Sequence, residues 1–143
     1  MKLPTRARYG TRMMLELAFR YKKGPTLLKD IGKSQDISVK YLGQLVIPLK
    51  IAGLIKSTLG AHGGYLLSKP PDKIRLLEIV TALEGPLCIV ECINSPDNCK
   101  RSKTCVMQNI WDEINQKIIK TLNLYTLKDL LKLHKEKQIE SIP

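Results

Sequence analysis

The chain has 143 residues, of which 43% are hydrophobic and 26% charged, and this is enough to bury the core of one globular domain without a structural metal. Its net charge of +11 is uneven, because residues 1–80 hold 15 Lys or Arg against 5 Asp or Glu, whereas residues 81–143 hold 9 against 8. The first residues, MKLPTRARYG, lack the apolar stretch of a secretory signal, and no apolar run approaches the ~20 residues of a membrane span. We therefore expect a cytoplasmic protein with no membrane partner. Its cationic half is expected to bind nucleic acid, the alternative being a basic surface that only aids solubility.

The first predicted element is a helix that ends near Gly24 and Pro25, which break it. Its apolar residues recur at spacings of three and four: Tyr9, Met13, Met14, Leu17, Ala18 and Tyr21. A short segment, TLLKDIGKSQD, leads to a second clear helix, ISVKYLGQLVIPLKIAGLI. Ser38 is predicted to cap this helix, and Pro48 to bend it or to begin its last turn. The predicted apolar face consists of Val39, Leu42, Leu45, Val46 and Leu49.

Two short strands, LIKST and GYLLS, are predicted on either side of a glycine-rich turn from Gly60 to Gly64. A short helix, a tight turn and a second helix have the proportions of a helix-turn-helix, and a hairpin directly after them is a wing. Because this order lies on the cationic half of the chain, it predicts a winged helix that binds DNA. The predicted fold is mostly helical, with a small β wing.

The second half of the chain is predicted to be helical on both sides of a polar loop. The segment IRLLEIVTALEG forms a helix, ended by Gly85 and Pro86, whose buried face is Leu76, Leu77, Ile79, Val80 and Leu83. A long helix then carries an apolar stripe wider than one small neighbour would cover: Val106, Met107, Ile110, Trp111, Ile114, Ile118, Ile119 and Leu122. We interpret it as a dimerisation helix, with a core stripe inside the domain as the alternative. TLKDLLKLH adds a last short helix, and the tail from Lys135 is predicted to fray.

All four cysteines lie in CIVECINSPDNCKRSKTC, residues 88–105. Stable disulfides are rare in the cytosol, so clustered cysteines there indicate metal or redox chemistry. An iron–sulfur cluster, a zinc ion and a reversible disulfide remain open at this point. Structural zinc sites favour closely paired cysteines, and only Cys88 and Cys92 have that spacing. An enzyme is not expected, because His62 and His134 have no nucleophile–base arrangement beside them.

Several stretches together are similar to one known family: MKLPTRARYG, ISVKYLGQLVIPLKIAGLI, GAHGGYLLSKP, LEIVTALEGP and three cysteines before a long helix. The chain resembles the dimeric winged-helix repressors of the IscR and NsrR type, which sense iron–sulfur supply, iron, nitric oxide or redox state. The resemblance implies a winged helix-turn-helix DNA-binding domain over 1–84 and a cysteine-rich cluster-binding loop over 85–105. It also implies a dimerisation helix and C-terminal tail over 106–143.

The resemblance implies an iron–sulfur cluster as well, for which we favour 2Fe–2S over 4Fe–4S. The cysteines that it assigns to the cluster are Cys92, Cys99 and Cys105. The fourth ligand departs from the family, since one branch has a His three residues past the third cysteine, where this chain has Gln108. Another branch has a carboxylate near the start of the first helix, where this chain has Arg8. We expect Cys88 as the substitute, the alternatives being Glu16, His62, a small exogenous ligand or an open iron site.

We expect DNA contacts from nine residues: Arg8, Thr26, Ser38, Lys40, Tyr41, Gln44, Lys50, Lys56 and His62. Tyr41 and Gln44 are predicted to face away from the apolar stripe of the recognition helix, and a Gln can read an adenine edge. The alternative for Gln44 is an exposed residue without a base contact. Relatives commonly have a Glu where this chain has Gly43 and an Arg where it has Leu59, so the operator sequence of relatives does not carry over.

The expected function is that of a homodimeric repressor or dual regulator on an inverted-repeat operator in double-stranded DNA, with an iron–sulfur cluster controlling its affinity. One alternative keeps the DNA binding but replaces the cluster with a zinc or thiol/disulfide sensor. An alternative of another class is an iron–sulfur carrier or scaffold without specific DNA binding. Control by a cluster requires that the occupied and empty proteins differ in the placement of their winged helices.

Overall fold

The computed structural model describes residues 1–141, in which helices and one hairpin follow each other in the predicted order. The elements are α1 Thr5–Phe19, α2 Leu28–Gln35, α3 Val39–Ile51, β1 Ile55–Thr58, β2 Gly64–Leu67, α4 Leu76–Glu84, α5 Glu91–Asn94, α6 Val106–Leu124 and α7 Leu127–Glu140. Short 3-10 turns cover Pro71–Lys73 and Pro96–Asn98. The fold is mostly helical with a two-stranded wing, as predicted.

The turn between α2 and α3 is formed by local backbone hydrogen bonds and by the close approach of the chain to Gly32. Asp36 adopts a left-handed conformation (φ 54°) and ends α2, which lets the chain reverse direction. The Ile37 N–H donates to the Gly32 carbonyl at 3.0 Å, so the turn lies directly on the last part of α2. Ser38 then caps α3 as predicted, its Oγ accepting from the Tyr41 N–H at 3.2 Å. These contacts produce the helix-turn-helix.

The wing is an antiparallel hairpin in which Ile55 pairs with Leu67 and Thr58 with Gly64. Thr26, in the segment between α1 and α2, adds a bridge to it: its N–H donates to the Tyr65 carbonyl at 3.0 Å and its carbonyl accepts from the Tyr65 N–H at 2.8 Å. The base of the wing is therefore attached to the first helical unit through backbone bonds, and the tip from Leu59 to Gly63 projects from it.

One hydrophobic core joins α1, α2, α3, α4, the wing and the start of α7. Its fully buried large side chains are Met13, Met14, Ile31, Leu42, Leu45, Leu49, Leu54, Ile74, Ile79 and Leu127. Pro48 lies inside α3, in its last turn, in agreement with the prediction. Three predictions of burial were wrong: Val39 is 49% exposed because it lies at the start of α3 beside the solvent, and Leu76 and Leu77 are only half-buried because they lie on the flank of α4.

The C-terminal helices depart from the prediction at one end. The segment from Lys135 was predicted to fray, but α7 continues through it to Glu140, while Ile142 and Pro143 lie outside the described residues. A capping box at its start, in which Thr126 and Asp129 bond reciprocally, supports α7. The backbone also pairs the α6–α7 corner with the start of α4, since the Leu127 N–H donates to the Ile74 carbonyl at 2.9 Å. No helix within residues 1–141 is both long and apolar enough to cross a membrane.

Candidate nucleic-acid interface and cysteine loop

The solvent face of α3 carries four exposed side chains in one row: Lys40, Gln44, Ile47 and Ile51. Their spacings of four, three and four residues place them on one side of the helix. Ile47 is 60% exposed and Ile51 is 83% exposed, which is unusual for isoleucine and leaves both free for apolar contacts, such as those made with a thymine methyl group. These two isoleucines were not among the predicted DNA contacts, although their register with Lys40 and Gln44 could have revealed them.

Tyr41 does not lie on this exposed row, which corrects the prediction that it faces away from the core side. Its half-buried ring packs edge-on against Tyr9 of α1, with centroids 5.7 Å apart and planes at 84°. The guanidinium groups of Arg8 and Arg12 lie 5.6 and 5.4 Å from the Tyr9 ring centroid. Tyr41 thus connects the recognition helix to α1, and the two arginines lie beside that contact.

The other predicted DNA contacts divide into exposed and buried residues. Arg8, Lys56 and His62 are exposed, on α1, on β1 and at the tip of the wing respectively. Lys50 is exposed as well, and its Nζ donates to the Ser57 Oγ at 3.1 Å, which joins α3 to the wing. Thr26 is only 4% exposed because its backbone pairs with the wing, and its predicted role in DNA binding is therefore not supported by its position.

A buried carboxylate fixes α1 against α2. Glu16 is 6% exposed; its carboxylate accepts from Arg20 Nε and from Gln35 Nε2, both at 2.9 Å. Arg12 donates to the side chain and the backbone carbonyl of the same Gln35. Burial by itself raises the pKa of Glu16, but the hydrogen bonds from Gln35 and Arg20 outweigh it, so the pKa is lowered from 4.5. Because Glu16 is engaged in this network, the alternative that it is a cluster ligand is not supported.

The cysteine loop carries its four thiols on different short elements. Cys88 follows α4, Cys92 lies in α5, Cys99 follows the second 3-10 turn and Cys105 immediately precedes α6. All four are free and half-buried. Within residues 1–141 no three side chains of His, Cys, Asp or Glu are grouped closely enough to hold a metal ion. Thiols are the donors that an iron–sulfur cluster needs, but this conformation of the loop does not gather them.

The first part of the loop is attached to its surroundings on two sides. The side chain of Glu84, just before the loop, accepts from the Ala7 N–H in the first turn of α1 at 3.1 Å. Pro4, the N-cap residue of α1, makes no side-chain cap bond, so Glu84 supplies a carboxylate to the helix N-terminus from a distant part of the chain. On the other side, Asn115 and Gln108 of α6 bond to the backbone of the loop.

The apolar stripe of α6 remains largely uncovered within one chain. Val106 is 70% exposed, Met107 42%, Ile110 43% and Trp111 38%. Only Asn115 is buried along the whole helix. A helix of this kind, with large apolar side chains facing water, is typical of an interface with another chain. The alternative of a core stripe inside the domain does not account for the exposed half of the helix.

The winged helix, the long helix and the loop between them occur together in one family. The family model described as "Rrf2: Iron-dependent Transcriptional regulator" matches residues 3–133. The chain belongs to the Rrf2 family. Rrf2 proteins are DNA-binding transcriptional regulators, typically dimeric, and not enzymes, as the sequence predicted.

The chain is similar over most of its length to several members of the Rrf2 family. Protein rrf2 of Nitratidesulfovibrio vulgaris is 45% identical over 132 residues, which cover 92% of this chain and 88% of that protein. CymR, the global cysteine regulator of Bacillus subtilis, has a solved structure that is 39% identical, with a TM-score of 0.78 over 93% of this chain and 98% of its own. IscR of T. potens is 35% identical, with a TM-score of 0.81 over 96% of this chain and 91% of its own.

Proposed function

We propose that the chain is a homodimeric repressor that binds an inverted-repeat operator through α3 and the wing, under the control of an iron–sulfur cluster. The observation that carries the DNA-binding part is the exposed row of Lys40, Gln44, Ile47 and Ile51 beside a wing on the strongly cationic half of the chain. Such a row offers a phosphate contact, an amide for an adenine edge and two apolar surfaces for thymine methyl groups. With double-stranded DNA as its partner, the protein is proposed to act in the cytoplasm.

The proposed contacts have separate roles. Lys40, Lys56 and Arg8 neutralise phosphates, and His62 at the wing tip reaches the backbone beside the recognition helix. Ser38 orients the start of α3 through its cap bond, and Lys50 holds α3 to the wing. Tyr41 supports α3 from α1 through Tyr9. Gln44 is the residue that we assign to base reading. The three parts 1–84, 85–105 and 106–143 serve as DNA-binding domain, sensor loop and dimerisation helix.

Two substitutions separate base reading from phosphate binding. Gln44→Ala should lose about 1–3 kcal/mol of discrimination per half-site between the operator and a scrambled duplex, because a base-edge contact is removed in each subunit. Lys40→Ala should weaken binding to both duplexes alike and reduce the slope of log K against log salt by about 2 for the dimer, because one phosphate contact is lost in each subunit. Fluorescence anisotropy across a salt series measures both. If Gln44→Ala lowers the affinity for the two duplexes equally, Gln44 does not read a base.

For the sensor we propose a cluster, 2Fe–2S or 4Fe–4S, on Cys92, Cys99 and Cys105, with Cys88 as the fourth ligand. The support is the iron-dependent description of the family, the similarity to IscR and the presence of four thiols in one loop. When bound, such a cluster supplies a redox-active group whose potential depends on its ligands and its exposure. Because the thiols are not gathered in the described conformation, the proposed cluster requires the loop to adopt another conformation when the cluster is bound.

Anaerobic purification followed by an absorption spectrum and by iron and sulfide analysis tests the sensor. We expect a brown or red protein with bound iron and sulfide, whose chromophore is lost in Cys92→Ala. An unchanged spectrum in Cys88→Ala would remove Cys88 from the ligand set without affecting the other three. A colourless protein after reconstitution with iron and sulfide under anaerobic conditions would contradict the cluster.

The second candidate sensor is a thiol switch on the same winged-helix dimer. It is favoured by the four free, half-buried thiols, which are not preassembled as a metal site, and by the similarity to the cysteine regulator CymR. In this case a colourless protein should lose or gain operator affinity on mild oxidation and recover on reduction. A zinc sensor is less favoured, since only Cys88 and Cys92 have zinc-like spacing. Zinc analysis of the colourless protein distinguishes the two.

A further inference from the structure

Asn115 is the buried residue of α6, and both ends of its amide are used by the cysteine loop. It is 3% exposed. Its Oδ1 accepts from the Ile89 N–H at 3.1 Å, and its Nδ2 donates to the Leu87 carbonyl at 3.2 Å. The amide therefore bonds to the backbone on both sides of Cys88 in the way that a neighbouring strand would. An unsatisfied buried amide is costly, so these two bonds hold the segment in one position.

Gln108 makes the same kind of contact near Cys92. It lies two helical turns before Asn115, so both side chains project from one face of α6. Its Nε2 donates to the Cys92 carbonyl at 2.6 Å. Gln108 occupies the place, three residues past Cys105, where one branch of the resembling regulators has a His ligand. In this chain that position contacts the backbone of a cysteine instead.

We propose that Asn115 and Gln108 are positioning residues, which dock the segment from Leu87 to Cys92 onto α6 and so set where the Cys88 and Cys92 sulfurs lie. Cys88 is held between the two Asn115 bonds, and its thiol donates to the Val90 carbonyl at 2.8 Å. Cys99 and Cys105 lie beyond these attachments, and within residues 1–141 no side-chain amide of α6 bonds to either of them. The Cys105 carbonyl accepts from the backbone N–H of Gln108 at 3.3 Å, a bond of the first helical turn that a substitution of the Gln108 side chain leaves in place. The segment thus divides the four thiols into a docked pair and a second pair that is independent of the docking.

The docking gives the sensor loop a direct connection to the long helix. A reaction that displaces the backbone at Cys88 or Cys92, whether cluster loss or oxidation, must strain or break the bonds made by Asn115 and Gln108. This consequence rests on the proposed function, because it matters only if the thiols are the sensor. The docking itself does not, and it can be measured on reduced, metal-free protein.

The test compares alkylation rates of the individual thiols by iodoacetamide, followed by mass spectrometry of reduced, metal-free protein. Asn115→Leu keeps the size of the side chain but removes both bonds, and it should raise the Cys88 rate about tenfold, since two hydrogen bonds that oppose opening are lost. Gln108→Leu should raise the Cys92 rate about threefold or more. The Cys99 and Cys105 rates should change less than about twofold in both variants, because local opening does not extend to them. Gln116→Leu, an exposed residue of the same helix, is the matched control and should leave all four rates unchanged.

A selective rise at Cys88 or Cys92 supports the docking. If all four rates rise together, the substitutions loosen the domain in general and the proposal is wrong. Gln108 is half-buried and its substitution by Leu removes a single bond, so the proposal is also wrong if no alkylation rate rises in Gln108→Leu. Circular dichroism and thermal unfolding identify any variant that fails to fold. If Asn115→Leu fails to fold, the rates in Gln108→Leu decide the test. Failure of the proposed function has a different signature, namely no iron uptake and no thiol-dependent change in operator affinity in the wild type.

Discussion

At the scale of single residues, Glu16 has the most consequential environment. A carboxylate that is 6% exposed in the last turn of α1 is unusual, and it is tolerated because Arg20 and Gln35 bond to it. Since Gln35 belongs to α2 and also accepts from Arg12, the network sets the relation between the first two helices. Arg12 of α1 and Arg20 at its C-cap therefore have a structural role within the domain.

The lowered pKa of Glu16 predicts a pH dependence of stability. Because its pKa in the folded protein lies below the unfolded value of 4.5, the unfolded chain takes up the proton first. The stabilisation is thus fully present above about pH 4.5 and is lost as the pH falls through the folded pKa. We expect Glu16→Gln to cost roughly 1–3 kcal/mol of unfolding free energy near neutral pH, and less as the pH falls below 4.5.

Urea unfolding of the wild type and Glu16→Gln at several pH values measures this difference. Glu113→Gln is the control, because Glu113 makes a salt bridge with Lys117 while its side chain is 60% exposed. Exposed pairs of this kind contribute little. A cost of Glu16→Gln that stays the same at all pH values would contradict the assigned ionisation.

At the scale of elements, the turn between α2 and α3 depends on how closely the chain passes over Gly32. A Cβ added at Gly32 would lie 2.6 Å from the Ile37 carbonyl oxygen, which belongs to the backbone and cannot rotate away. A Cβ added at Gly43, on the recognition helix, would meet nothing within 4 Å. Substituting the two glycines should therefore have opposite effects on stability, although both lie in the helix-turn-helix.

Gly32→Ala should destabilise the protein by about 1–3 kcal/mol and weaken operator binding, because the turn must shift to relieve the contact. Gly43→Ala should stabilise it by roughly 0.5–1 kcal/mol, since alanine has the higher helix propensity and no contact opposes it. Thermal and urea unfolding give both values. If the two variants change stability in the same direction, the close approach at Gly32 is not the controlling contact.

At the scale of the whole molecule, α6 connects three parts of the protein. Its first half bonds to the cysteine loop, its end leads into the corner that pairs with Ile74 and Leu76, and its exposed stripe is free to meet a second chain. Glu84, which directly precedes the loop, contacts α1, and α1 in turn meets the recognition helix at Tyr9 and Tyr41. A change in the loop therefore has short physical connections to both the proposed dimer interface and the proposed DNA-binding surface.

The exposed stripe of α6 predicts the oligomeric state. Ile110→Lys should shift the protein from dimer to monomer, because a charge placed in a buried apolar interface is strongly unfavourable. It should also reduce operator affinity by at least about tenfold, since two linked half-sites then no longer bind together. Light scattering on a sizing column and anisotropy measure the two effects. Ile139→Lys changes an isoleucine of α7 that is 69% exposed and lies outside the stripe, and it should alter neither.

The fold was predictable because its signals are local. Helical spacing, the cap at Ser38, the position of Pro48 and the glycine-rich wing all act within a few residues, and each predicted element is present. The tail from Lys135 was mispredicted because its polar composition resembles a frayed end, whereas the capping box at Thr126 and the packing of α7 on α1 sustain the helix. The Phe19 and His134 rings, 4.8 Å apart, mark that packing.

The candidate site was predictable only in part. The cysteines, Lys40 and Gln44 are visible in the sequence as residue types at suggestive spacings, and their role stays a prediction. Tyr41 was predicted to face away from the apolar stripe, but its ring packs against Tyr9 of α1. Thr26 was predicted to contact DNA, but it is 4% exposed and its backbone pairs with Tyr65 of the wing. A helical pattern tells which face of a helix is apolar. The orientation of an aromatic residue at the edge of that face, and the burial of a threonine between two helices, depend instead on the neighbouring elements.

By itself the sequence therefore determined that this chain is a winged helix with a cysteine loop and a long apolar helix, since periodicity, caps and turn residues act over short distances. Only the tertiary structure decided what the polar residues between these elements do. Glu84 meets Ala7, and Asn115 meets Leu87 and Ile89, across separations that leave no periodic trace. Such bonds form because buried polar groups require partners, and the partner is whichever group the packing of apolar surfaces brings within reach.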